Sequence, residues 1–179
     1  MDCRGTALTC PPRVTTMHQI QNRRSVRLSA YDYRTPGAYF VTIVAHERLC
    51  IFGRVIGDTA CPEPLDEIIA AEWQRAAAVR PDVELGEFVV MPNHLHGIIW
   101  LPDTRDAVNR TGAFQKPVAG SLSTIVGLFK SEVTKTAKNR LGIERVWQRG
   151  FYEHVIRTEK ALARIRQYIV DNPAMLGGR

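Results

Sequence analysis

The chain has 179 residues, of which 45% are hydrophobic and 23% charged, and its net charge is +6. This composition is ordinary for one globular domain with a sizeable core. No apolar run reaches about 18 residues, so we expect no transmembrane helix. The N-terminus lacks the apolar core of a secretory signal, so we expect a cytoplasmic protein whose four cysteines are free thiols.

The positive charge is concentrated in two regions of the chain. Residues 1–27 carry five arginines against one acidic residue, and residues 128–166 carry ten basic groups against four glutamates. The middle of the chain, 36–127, is net acidic. This distribution favours a polyanionic ligand, because each neutralised phosphate releases a counterion. A solvated surface without a partner is the alternative that charge alone leaves open.

The hydrophobic periodicity predicts a flexible basic arm over 1–27 and a single domain over 28–179. Within the domain, the pattern predicts a strand over Gly37–His46, a short strand over Ile51–Ile56 that could pair with it as a hairpin, and a helix over Pro64–Val79. The next elements are strands over Glu84–Met91 and His94–Leu101 and a loop over 102–120. The last elements are a helix from an N-cap at Ser121 to about Arg140, a strand over Arg145–Arg157, and a helix from a cap at Thr158 to about Asn172 that Pro173 ends.

Without the short strand, this order is β-α-β-β-α-β followed by one more helix. It predicts an α+β protein of the ferredoxin-like, split β-α-β type. We therefore expect an antiparallel sheet with helices on one face, and a further helix at the C-terminus.

Two histidines in the strand after Pro92–Asn93 form the first candidate site. Side chains alternate along a strand, so His94 and His96 share one face while Leu95 points to the other. Two adjacent imidazoles can bind a metal ion as a bidentate pair. The apolar residues around them favour a site at the end of a rigid core sheet, whereas two exposed polar residues near a turn are the plainer alternative.

The last helix could complete this site. It offers Glu159, Asp171 and Asn172 as third ligands. Tyr168 and Asn172 are four residues apart and share a helix face, so a metal-bound Asn172 would hold the Tyr168 phenol near a polarised phosphorus. Packing at the edge of the core is the competing role for Tyr168.

Tyr152 and His154 lie two apart on the preceding predicted strand and share a face. Either could enter the site, and a structural role for His154 is equally compatible with the pattern. Trp147 could stack on a base or belong to the core.

Four segments in this order resemble one known family: VVMPNHLHGIIWL, SLSTIVGLFKSEVTK, VWQRGFYEHVIR and RIRQYIVDNP. They are similar to the single-tyrosine HUH transposases, and among these to the REP-associated tyrosine transposases, relatives of the insertion-sequence-200-like enzymes. The resemblance extends from about Arg23 to Pro173, which is nearly the whole chain.

The resemblance implies a divalent ion, Mg²⁺ or Mn²⁺, bound by His94, His96 and Asn172, with Tyr168 as the nucleophile. It implies cleavage and rejoining of single-stranded or hairpin DNA through a 5′-phosphotyrosine link and a free 3′-OH. Family members act as monomers or homodimers, and both remain open for this chain. The DNA contacts expected from the basic regions and the last strand are Arg23, Arg24, Arg27, Lys130 and His154.

Two other functional classes fit parts of the pattern. A non-catalytic nucleic-acid binder of RRM-like architecture would share the fold, but it would not need His94 and His96, and its signature run is absent. A metal-dependent phosphodiesterase would use water as the nucleophile in place of Tyr168. Only the tyrosine mechanism leaves protein covalently attached to DNA.

Overall fold

The structure, a computed structural model, describes residues 35–56, 59–79, 83–101 and 121–175. The elements in these ranges are β1 (Gly37–Val44), a 3-10 helix (His46–Arg48), β2 (Gly53–Ile56), β3 (Thr59–Pro62), α1 (Pro64–Val79), β4 (Glu84–Met91), β5 (His94–Leu101), α2 (Leu122–Leu141), β6 (Tyr152–Ile156) and α3 (Glu159–Met175). The predicted arm over 1–27, which includes Arg23, Arg24 and Arg27, and the predicted loop over 102–120 lie outside the described residues.

Four strands form an antiparallel sheet in the order β4-β5-β1-β6. β4 and β5 are neighbours because the short Pro92–Asn93 turn joins them, whereas β1 lies between two strands that are distant from it in sequence. With α1 between β1 and β4, and α2 between β5 and β6, this is the ferredoxin-like order. The predicted α+β fold is confirmed.

The two faces of the sheet have separate cores, because side chains alternate along each strand. On one face, Tyr39, Val41 and Ile43 of β1 are completely buried among residues of α1 and α2. The second core lies on the opposite face and joins the sheet to α3; its buried members are Ala38, Ile98, Ile156, Leu162 and Ile169. The C-terminal helix therefore covers the face that α1 and α2 leave open.

The packing of α1 on the sheet depends on a glycine in β5. A Cβ atom at Gly97 would lie 2.5 Å from Cη2 of Trp73, so the indole ring occupies the space above this residue. Trp73 also packs edge-on against Phe129 of α2, with ring centroids 5.4 Å apart. Trp73 therefore restrains Gly97, the residue that follows His96, from the sheet face opposite to the histidines.

The predicted limits of α2 follow from its caps. The side chain of Ser121 accepts a hydrogen bond from the backbone N–H of Thr124 at 3.3 Å, as expected for an N-cap. Gly142 ends the helix in the left-handed conformation, with φ of 71°, which costs glycine little.

Three predicted elements differ from the structure. β2 pairs with β3 in a separate two-stranded sheet, so the predicted hairpin of Ile51–Ile56 with the first strand is wrong. The last strand begins at Tyr152, because the chain turns at Gly150, where φ is +78°; before it, Trp147 forms an isolated bridge with Ala45. α3 continues to Met175, since a proline near the end of a helix removes only one hydrogen bond.

Two further expectations concern cysteines and membranes. Cys50 is disulfide-bonded, so the prediction of four free thiols is wrong at this residue. Sequence spacing could not reveal the bond, because a disulfide depends on the distance between Cα atoms in space.

Among the described helices, none combines the length and the apolar character needed to cross a membrane.

Candidate active site

His94 and His96 lie on the sheet face that α3 covers. Their register partners on β1 are Val44 and Thr42. The turn before them is fixed by two backbone hydrogen bonds, from Ala45 N–H to the Asn93 carbonyl at 2.9 Å and from Phe52 N–H to the Pro92 carbonyl at 3.0 Å. The prediction that both imidazoles share one face is confirmed by this register.

The two imidazoles meet through their Nε2 atoms, which are 3.0 Å apart. The Nδ1 atoms each contact a neighbouring oxygen: His94 Nδ1 lies 2.7 Å from Asn93 Oδ1, and His96 Nδ1 lies 2.9 Å from Thr42 Oγ1. Oxygen contacts at the outer nitrogens orient the rings and leave the Nε2 atoms facing each other.

These contacts define the proton positions on the rings. An amide oxygen only accepts, so Nδ1 of His94 carries the hydrogen and its Nε2 has a free lone pair. The Nε2–Nε2 hydrogen bond then requires a hydrogen on Nε2 of His96, while Nδ1 of His96 accepts from the Thr42 hydroxyl. If both Nε2 atoms bind a metal ion, the hydrogen of His96 must be on Nδ1, where Thr42 can accept it because a hydroxyl both donates and accepts.

Both histidines favour the neutral form. Burial lowers the pKa of His94, and the nearby positive charge of Arg48 adds to this effect. At His96 burial and the adjacent His94 lower the pKa to about 4. Neutral imidazoles can donate lone pairs to a cation at neutral pH.

Tyr168 of α3 lies over this pair. Its hydroxyl is 3.4 Å from His96 Nε2, and the two ring centroids are 5.5 Å apart in an edge-on arrangement. Phe40 of β1 stacks on the His96 ring at 5.1 Å and meets Tyr168 edge-on at 6.1 Å. Tyr168 is 42% exposed, so its phenol can be reached by a large substrate.

Asn172 follows Tyr168 by one turn and is buried, with 7% exposure. Its Nδ2 atom has no hydrogen-bond partner among the described residues, which is costly for a buried amide. The other two candidates on this helix differ: Oδ1 of Asp171 accepts a hydrogen bond from Gln167 at 2.8 Å, and Glu159 is exposed in the first turn.

The spacing of the two histidine Nε2 atoms is compatible with a small divalent ion. Two cis nitrogen ligands at about 2.1 Å from one octahedral ion lie about 3.0 Å apart, as the Nε2 atoms do. Asn172 is buried one helical turn beyond Tyr168, and its amide oxygen is the third candidate ligand. Within the described residues, there is no group of three or more His, Cys, Asp or Glu side chains that could hold a metal ion.

The remaining predicted residues within the described ranges lie on β6, beside the pair, and on α2, on the other side of the sheet. Tyr152 pairs with Thr42, and His154 with Phe40, so both lie on the His96 face, on the edge strand β6. Lys130 of α2 donates to the carbonyls of Gln148 and Gly150 at 2.7 and 2.9 Å. Burial lowers the pKa of Lys130 to about 8, so it remains mainly protonated at pH 7. Its predicted DNA contact stays a prediction.

Thr42, Phe40 and Asn93 were not predicted from the sequence as neighbours of the histidines. A signal existed for two of them. Thr42 is the one polar residue in GAYFVTIV, and Asn93 directly precedes His94. The sequence contains no comparable signal for Phe40, because an aromatic residue is common in a core strand.

No family model matches the chain. An uncharacterized protein of Haemophilus influenzae is 37% identical over 163 residues, which cover 87% of this chain and 91% of that protein. A protein of the same organism named "Putative REP-associated tyrosine transposase" is 27% identical over 148 residues, 82% of this chain and 75% of that protein.

One solved structure, described as the REP-associated tyrosine transposase bound to a REP hairpin, matches with a TM-score of 0.59 and 22% sequence identity. The match covers 84% of this chain and 75% of the other. At this identity the likeness establishes a common fold.

Proposed function

We propose that this chain is a member of the REP-associated tyrosine transposases, and that it binds DNA and cleaves and rejoins single-stranded DNA through Tyr168. The proposed substrate is a strand with a hairpin and an unpaired flank. The relative solved with a REP hairpin supports this substrate class. The observation that carries the catalytic part is the convergence of Tyr168 with the paired histidines.

In the proposed reaction the Tyr168 oxygen attacks a phosphorus atom of the DNA backbone. The phenol loses its proton, a P–O bond to tyrosine forms, and the bond from phosphorus to the 3′ oxygen breaks. The released 3′ oxygen takes up a proton and becomes a free 3′-OH. Reversal by the same or another 3′-OH restores a phosphodiester and frees Tyr168, so no nucleotide triphosphate is needed.

His94, His96 and Asn172 would hold Mg²⁺ or Mn²⁺ through Nε2, Nε2 and Oδ1. When bound, the ion supplies positive charge that polarises the phosphate and favours phenolate formation. All three ligands are neutral, so they leave the charge of the ion undiminished. Thr42 and Asn93 keep both rings in place, and Phe40 supports the His96 ring from the β1 side.

The decisive experiment separates covalent attachment from binding. Tyr168→Phe should lose the covalent protein–DNA adduct on a denaturing gel while it keeps hairpin binding and fold, because only the attacking oxygen is removed. Tyr152→Phe is the matched control and should still form an adduct, since Tyr152 lies on β6, two strands from His96. A DNA-linked Tyr152 peptide in mass spectrometry would contradict the assignment of Tyr168.

The same gel distinguishes the alternatives to this reaction. A phosphodiesterase that uses water would cleave the strand without an adduct, and an RRM-like binder would do neither. Asn172→Ala should raise the metal concentration needed for half-maximal cleavage, because one ligand is lost. An unchanged metal requirement in this variant would remove Asn172 from the proposed ligand set.

A further inference from the structure

Part of the sheet face that carries the histidines is not covered by α3. The helix packs toward β4, where Arg166 Nε lies 2.7 Å from Glu87 Oε1. On the other side of the face, β6 is the edge strand, and its side chains Tyr152 and His154 are exposed, Tyr152 by 39%. Two ring side chains therefore point to solvent beside the helix that bears Tyr168.

These two rings continue the surface of the candidate active site. In the strand register, His96, Thr42 and Tyr152 form one row across the sheet, and Ile98, Phe40 and His154 form the next row. Phe40 contacts both His96 and Tyr168, and His154 is its cross-strand neighbour. Neighbouring ring side chains thus extend from Tyr168 through Phe40 to His154 on the exposed edge strand β6.

The distances along this path suit a nucleotide next to the reacting phosphate. Strands lie about 4.8 Å apart, so Tyr152 is roughly 10 Å from His96 across the sheet. This separation is too long for a metal ligand and matches the reach of a base from its own phosphate or the next one. Exposed arginines at both ends of β6, Arg149 and Arg157, add positive charge that complements a DNA backbone.

We propose that Tyr152 and His154 form a stacking platform for unpaired bases beside the phosphate that Tyr168 attacks. Bases stack on such rings with little dependence on sequence, because every base has a π-face. The platform would hold the strand so that the phosphate lies over His94 and His96. This inference rests on the proposed function, since it takes its ligand from the DNA substrate of the same site.

The test measures stacking apart from catalysis. Single-stranded oligonucleotides with 2-aminopurine next to the cleavage position are titrated in EDTA with protein that carries Tyr168→Phe, so neither cleavage nor attachment occurs. With the platform intact, stacking should quench the probe on binding. Tyr152→Leu keeps an apolar side chain but removes the ring, and should reduce quenching and weaken binding by about 10-fold.

Tyr152→Phe is the conservative variant and should keep both quenching and affinity, because the ring remains. His154→Ala should lose part of each. Leu128→Ala, an exposed site on α2 on the far side of the sheet, should leave both unchanged. Thermal melting of every variant reports whether the fold is retained.

The outcomes separate the two proposals. The platform is overturned if Tyr152→Leu shows the same quenching and the same affinity as the protein that retains Tyr152. It is also overturned if Tyr152→Phe and Tyr152→Leu lose quenching and affinity to the same extent. If Tyr152→Leu loses stacking but the unsubstituted chain forms no covalent adduct with metal present, the platform stands and the proposed strand cleavage fails.

Discussion

Each imidazole of the His94–His96 pair uses its outer nitrogen on a neighbouring oxygen, and at His96 that oxygen belongs to Thr42. Thr42→Val keeps the shape of the side chain but leaves His96 Nδ1 without this partner. We expect about 10- to 100-fold weaker Mn²⁺ binding in calorimetric titration, because the metal-binding tautomer of His96 loses its acceptor. Thr42→Ser retains the hydroxyl and should bind Mn²⁺ normally; unchanged affinity in Thr42→Val would contradict this role.

The lowered pKa of His96 predicts how the metal-free protein responds to acid. Its pKa of about 4 lies below the ordinary value of 6.5, so the unfolded chain binds more protons between these pH values. The free energy of unfolding should therefore fall as the pH drops from 6.5 toward 4, by on the order of 3 kcal/mol from His96. Above pH 6.5 this contribution is fully present.

The measurement is urea unfolding in EDTA at several pH values, with His96→Gln as the comparison. Asp66 contributes the opposite slope, because burial raises its pKa to about 6. The difference between the two proteins removes the contribution of Asp66, and parallel pH profiles would contradict the prediction.

For individual residues, the sequence was sufficient to predict which side chains lie next to each other within one strand or one helix. Strand alternation placed His94 and His96 on one face, and helical periodicity placed Tyr168 one turn before Asn172. Contacts between elements could not be predicted in the same way. Thr42 meets His96 because β1 pairs with β5 in one particular register, and no local pattern defines that register.

Among the elements, β5 and α1 illustrate how a glycine can control the position of a site. Gly97→Ala would force its Cβ to 2.5 Å from the Trp73 ring, and we expect a loss of roughly 1–3 kcal/mol in the free energy of unfolding. Gly127 of α2 has no atom within 4 Å of an added Cβ, so Gly127→Ala should instead stabilise by about 0.5–1 kcal/mol.

Chemical denaturation of both alanine variants provides the measurement. Equal effects of the two substitutions would mean that Trp73 yields to the added methyl group. A destabilised Gly97→Ala protein should also bind Mn²⁺ more weakly, because the strain falls on the residue next to His96.

Element types were easier to predict than their pairing. Long periodic segments gave α1, α2, β4 and β5 with limits close to those of the structure. β2 was recognised as a strand but assigned to the wrong partner, since its true partner, Thr59–Pro62, has a proline and little apolar alternation. The turn at Gly150 was missed because a positive φ is not visible in a run of strand-forming residues.

For the molecule as a whole, the sheet separates the larger hydrophobic core from the candidate active site. α1 and α2 bury the larger core on one face, and α3 brings Tyr168 and Asn172 to the other. The element order predicted helices on one face of the sheet and a further C-terminal helix, and the contact of Tyr168 with His96 places that helix on the other face.

The distribution of charge predicts that DNA binding and DNA cleavage depend on different variables. Residues 128–166 contain ten basic groups and only four glutamates, so phosphate contacts should supply most of the affinity for DNA. In EDTA, a hairpin with a single-stranded flank should bind as tightly as in Mg²⁺, while cleavage disappears. The logarithm of the affinity should fall linearly with the logarithm of salt concentration, by about 0.7 to 0.9 per neutralised phosphate.

Fluorescence anisotropy across a salt series, with parallel cleavage gels, measures both quantities on the same samples. A blunt duplex of unrelated sequence is the control and should bind more weakly, because unpaired bases are needed at the site. The proposed ion acts on the reacting phosphate alone, so His94→Ala should reproduce the EDTA result, with retained affinity and no adduct. Binding that vanishes with the metal would instead mean that the ion holds the DNA, and strand cleavage that persists in EDTA would exclude the proposed metal chemistry.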